Sequence, residues 1–133
     1  MGRVHRFLLV AVLLVGLSGC ATVDEPGLAN LRAEFVDGGG TCSTWTPIDE
    51  PRSHGAVLCD FGAKLYLFGN DSERSDFVKT ELETNGDIRS RTHIMLSGET
   101  WLVIDRIPVI VHLLGTMGRK LGGMIQGRNG ANP

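Results

Sequence analysis

The chain has 133 residues, 42% of them apolar and 21% charged, with a formal net charge of −2. That suits one globular domain and offers no basic field for nucleic acid. Eighteen glycines and three cysteines without a CxxC spacing speak against a large all-helical core and against a cysteine-built metal framework.

Arg3, His5 and Arg6 precede an apolar run from Phe7 to Leu17, which ends in Ser18, Gly19 and Cys20. A basic start, a short apolar stretch and small residues at a cleavage point have the form of a secretory signal. The run is shorter than the ~20 residues that a spanning helix needs. Leu17-Ser18-Gly19-Cys20 resembles the lipobox of bacterial lipoproteins. The resemblance implies that the Cys20 thiol is linked to diacylglycerol, that Cys20 becomes the mature N-terminus, and that the protein sits on the extracytoplasmic side of the cell membrane. Each buried methylene contributes ~0.8 kcal/mol, and stable attachment takes more than one acyl chain, which a diacyl cysteine provides. An ordinary secretory signal is the alternative.

Four segments follow: a signal peptide over 1–19, the lipidated cysteine and a tether over 20–40, an α+β domain over 41–127, and a disordered tail over 128–133. Removing 1–19 takes away Arg3 and Arg6 and none of the fifteen acids. It leaves 114 residues, eleven of them basic, and a net charge of −4, which favours neither nucleic acid nor anionic lipid head groups as a partner. Residues 21–36, with Pro26, Gly27 and scattered acids, read as tether with one helical turn around Leu28 to Phe35. Its mean reach is about 20 Å.

Asp37-Gly38-Gly39-Gly40 breaks the chain, and Cys42 to Thr46 reads as a short strand before Pro47. Ala56–Cys59 and Lys64–Phe68 read as strands joined through Asp60-Phe61-Gly62-Ala63, a hairpin. Asn70 with Glu73 has the form of a capping box, opening a helix to Thr84 with Phe77, Val78 and Leu82 on its apolar side; Asn85-Gly86-Asp87 stops it. Thr92–Leu96 and Trp101–Ile104 form a second hairpin about Ser97-Gly98-Glu99. A second helix starts at Asp105 or the residue after it. Pro108 falls in its first turn, and Ile110, Leu113, Leu114, Met117 and Leu121 form a stripe that must face a core. Gly122-Gly123 ends it, and Met124–Gln126 returns as a strand. In an exported chain, Cys42 and Cys59 are expected to pair in a disulfide.

From Lys64 onward the order is β-α-β-β-α-β. The expected fold is therefore α+β: a small antiparallel sheet with two helices on one face, ferredoxin-like, preceded by an added disulfide-linked hairpin. An irregular α+β fold with a split sheet is the alternative. Over 41–126 the pattern Cys42-Ser43-Thr44-Trp45, a second cysteine, a "YLF" strand, an acidic-capped helix and a Gly98–Val103 strand resembles small uncharacterised lipoproteins of high-GC Gram-positive bacteria and their phages. The likeness implies anchoring and fold, and supplies no catalytic residues.

No catalytic residue, metal site or cofactor is expected. His54, His93 and His112 read as separate surface or rim residues, with His112 on the solvent side of its helix. No GxSxG, GxGxxG or P-loop pattern occurs. In KLYLF, Leu65 and Leu67 share one strand face while Tyr66 and Phe68 share the other. If the helices cover the leucines, Tyr66 and Phe68, with Trp45, form an interaction surface; in the competing reading the disulfide-stapled N-terminal segment buries them. The expected function is a non-enzymatic, lipid-anchored domain that binds an envelope protein or small ligand. The alternatives are a phage or prophage lipoprotein acting in superinfection exclusion, and an envelope metal-binding protein or hydrolase using His54, His93 and Asp60.

Overall fold

A computed structural model describes residues 25–126. The signal, Cys20 and the 128–133 tail lie outside the described residues. No helix among those described is long and apolar enough to cross a membrane.

The first element corrects the reading of a tether. Helix α1 spans Glu25–Asp37, because Pro26 sits in the first turn, where a missing N–H leaves no bond unmade. Leu28, Leu31 and Phe35 recur along one side and are buried. The helix ends where Gly38, Gly39 and Gly40 donate back to Glu34, Val36 and Phe35. Gly40 has no substitute, since a Cβ there would lie 2.4 Å from the Phe35 ring. The domain thus includes α1 and is not confined to residue 41 onward.

Five strands and a sixth at the far edge make one antiparallel sheet: β1 Trp45–Pro47, β2 Gly55–Cys59, β3 Lys64–Leu67, β4 His93–Ser97, β5 Trp101–Arg106 and β6 Met124–Gln126, in the order β1-β2-β3-β5-β4-β6. Both expected hairpins form, β2–β3 and β4–β5, and the expected disulfide joins Cys42 to Cys59. Between β3 and β4 lie α2, Asp71–Thr84, and a short α3, Gly86–Arg89, which the sequence reading did not foresee. Asn85 ends α2 and caps α3, accepting from the N–H groups of Asp87 and Ile88. The second expected helix is two pieces, α4 Ile107–Leu114 and α5 Met117–Leu121. It breaks at Gly115-Thr116, where the Thr116 hydroxyl donates to the Leu113 carbonyl and so competes with the helix ladder.

The class is α+β, but the ferredoxin-like order does not close. β3 and β4 run parallel on either side of β5, as that fold requires. However, β2 already occupies the free edge of β3, so β6 pairs with β4 instead. Right-handed crossovers then place the two helical connections on opposite faces, because β5 runs against β3 while both crossovers step in the same direction along the sheet. The clusters agree. α1, α4 and α5 cover Val57, Leu65, Leu96, Trp101 and Val103, with Cys42 and Cys59 among them. α2 and α3 cover Ala56, Tyr66, Phe68, Met95, Leu102 and Ile104. The expectation of two helices on one face is thereby overturned.

Candidate functional site

Tyr66 and Phe68 are each 5% exposed, so the interaction surface expected from them is absent. Phe77 of α2 lies 4.8 and 5.3 Å from their ring centroids, within the range of favourable tilted aromatic pairs. The disulfide-stapled segment is divided between the faces: Cys42 and Cys59 lie on the leucine face, while Ile48 packs against the Tyr66 and Phe68 cluster, so the segment adds to a cover that α2 mainly supplies. Desolvation pushes the Tyr66 phenol well above its ordinary range. Trp45, on the edge strand β1, is half-buried beneath the Arg32 guanidinium, 5.3 Å from its ring.

His54, His93 and Asp60 are not brought together. His54 precedes β2 and pairs with Glu73 at 3.5 Å. His93 opens β4 at the opposite end of the sheet, beside Thr92 and Asp87. Asp60 follows β2 and accepts from the Thr44 N–H, three strand positions from β4, or about 14 Å. Among the described residues no group of three or more metal-ligating side chains converges. His112 is exposed, as its helical position predicts.

What the structure does assemble is a cleft of about 400 Å³ between the β1–β2 loop and α2, lined by Arg52, His54, Glu73, Asp76, Phe77 and Thr80 among others. The loop is held by Ile48, whose N–H donates to Ala56, and by a turn in which the Ser53 N–H and hydroxyl both donate to the Glu50 carbonyl. Arg52 donates to both oxygens of Glu50 at 2.9 and 2.8 Å, lies 3.7 Å from Glu81, and rests 4.5 Å from the Phe77 ring centroid. These donations hold the Glu50 carboxyl below its usual range and raise Arg52.

On the opposite wall the expected capping box is present. The Asn70 side chain accepts from the Glu73 N–H at 2.9 Å. Glu73 reaches back to the N–H of Gly69 at 3.0 Å, one residue earlier than the usual box. His54 lies over Gly69, where a Cβ would come within 2.6 Å of its ring. Glu50 and Glu81 neutralise Arg52, so the cleft presents Glu73 and Asp76 with an imidazole and an aromatic floor. That set accepts hydrogen bonds and suits a cationic or donor-rich ligand. Sequence reasoning had found Glu73 only as a cap and Phe77 only as core. No spacing signal marked Arg52 or Asp76, which come together through tertiary packing of a loop on a helix.

No protein-family model matches the chain, and neither a curated protein nor a solved structure does.

Proposed function

We propose that the chain is an extracytoplasmic lipoprotein, held to the cell membrane through an acylated Cys20, whose domain acts by binding a cationic envelope component in the cleft between the β1–β2 loop and α2. The observation that carries the reading is the pairing of Cys42 with Cys59 inside the leucine-face core. A bond of that kind belongs to an oxidising compartment, where the Leu17–Cys20 pattern would also deliver the chain. The cleft supplies acceptors and an aromatic floor. Its one serine, Ser53, spends its hydroxyl on a backbone carbonyl, which supports recognition over nucleophilic chemistry.

Two measurements test this. Labelled palmitate should enter the parent chain and not Cys20→Ala; equal labelling, or none in either, removes the anchor. A thermal-shift series with amines, amino sugars and short basic peptides should give a rise that Glu73→Gln/Asp76→Asn abolishes. Glutamine keeps one acceptor for the Gly69 N–H and loses the bond from the Asn70 side-chain amide, so loss of the rise in a variant whose starting Tm matches the parent isolates the cleft.

A further inference from the structure

The end of the sheet where β2 turns into β3 carries an aromatic residue that the fold does not use. Phe61 is 76% exposed and sits in the left-handed region, φ 67°, followed by Gly62 at φ 91°. A bulky side chain pays for that backbone, and asparagine or glycine would close the turn more cheaply. Along the same end of the sheet, antiparallel pairing sets Lys64 at the start of β3, Arg106 at the end of β5 and, about 14 Å from β2, Arg91 just before β4, with Arg89 ending α3. None of these four has an ion-pair partner among the described residues, whereas Arg52, Arg74 and Lys120 all do. Asp60 and Asp87 share this end and the buried Asp105 adjoins Arg106, so four cations meet three carboxylates.

The same end receives the start of α1. Arg32, in mid-helix, donates to the carbonyls of Cys42 and Ser43, beside Cys59 and the hairpin tip. The C-terminal residues Glu34 and Asp37 meet Lys120 of α5, and Gly38 lies against Leu113 and Thr116, away from the end where α4 begins. Helix α1 therefore runs away from Phe61, and Glu25 lies toward it. Four residues, and so five Cα steps, lie between Cys20 and Glu25, a reach of at most about 18 Å.

We propose that this end of the domain docks on an anionic bilayer, with Phe61 seated among the head groups and Lys64, Arg91 and Arg106 against lipid phosphates. The proposal rests on the acylation of Cys20, which fixes the bilayer within reach as the occupant. Short-range chain length, an aromatic tip and a local surplus of cations are the elements of interfacial binding. The net negative charge of the whole domain does not prevent it, because at physiological salt fields decay over about 8 Å.

The test uses the full, processed chain reconstituted into phosphatidylglycerol vesicles. In Phe61→Trp, the emission added to that of Trp45 and Trp101 should be blue-shifted and at least halved by brominated acyl chains. The quenching should weaken in phosphatidylcholine and in Lys64→Glu/Arg91→Glu/Arg106→Glu. Independently, hydrogen exchange of residues 58–64 should slow several-fold on vesicles in the parent and not in Phe61→Asn, a variant whose Tm should not fall. A chain that floats with the vesicles but shows unquenched indole and unchanged exchange overturns the docking alone. A chain that does not float overturns the anchor and the docking with it.

Discussion

The two faces of the sheet are closed by different means. The leucine face is aliphatic and is covered by helices from the two extremes of the described chain, α1 and α4–α5, with a disulfide at one margin. The aromatic face is covered chiefly by one contiguous excursion, α2 and α3, through the Tyr66, Phe68 and Phe77 rings, with Ile48 of the β1–β2 loop at its margin. A buried Arg74 secures it, donating to the Glu99 carbonyl, Ser97 and Asp71. The first face needs distant segments to meet and is held by volume and a covalent bond. The second forms between neighbours in sequence and is held by rings and polar bonds. The cleft lies on the margin of the second.

If that contrast is right, damage to the leucine face should be the more severe. Phe35→Ala empties a site with no solvent exposure and should cost about 3–5 kcal/mol, read from urea unfolding; a loss under 1 kcal/mol would show that α1 is dispensable. Cys42→Ser/Cys59→Ser should cost about 3 kcal/mol, since the bridge closes a loop of 17 residues. Thermal unfolding with and without reductant checks it, because the double variant should be indifferent to reductant. On the aromatic face, Arg74→Ala should cost about 1–3 kcal/mol by leaving the Glu99 carbonyl unpaired. Its signature is local, with faster exchange over 97–100 and no change at α1.

The smallest effect sharpens the comparison where the faces meet. Asp105, the penultimate residue of β5, is 4% exposed and accepts the Arg106 N–H at 2.7 Å. Burial raises its carboxyl above the ordinary value. A carboxyl with a raised folded value contributes stability that is present below its unfolded pKa, about 3.9, and is lost as pH rises through the folded value. Asp105→Asn keeps the acceptor and should flatten that decline, leaving the domain at least as stable as the parent at pH 7. A variant less stable at pH 7 than at pH 4 by the parent's margin would remove Asp105 as the cause.

Much of the local structure was legible because local chemistry decides it. The Asn70–Glu73 box, Pro108 in a first turn and the glycine-marked hairpins each act within a few residues. The cysteine pair was legible because only two thiols remained once Cys20 was assigned to acylation. α1 was missed because Pro26 and Gly27, which look like linker residues, lie in the first turn of the helix, and three apolar residues over thirteen make a faint stripe. Strand parity separated Leu65 from Tyr66 but did not say which helix covers which. That depends on β2 taking the edge that β6 would otherwise have filled, a choice made between strands nearly seventy residues apart. The cleft escaped for the same reason: Arg52 and Phe77 meet only after the loop folds onto α2.

The position of the Cys42–Cys59 bridge also decides how the domain bears mechanical load. A pull entering at residue 25 can peel only the chain upstream of Cys42, a slack of about 60 Å when fully drawn out. Beyond that the tension crosses to Cys59 at the end of β2, a strand bonded on both sides. The bridge thus sets where such a pull arrives: on the sheet at the end of β2, past the loop that joins the two cysteines.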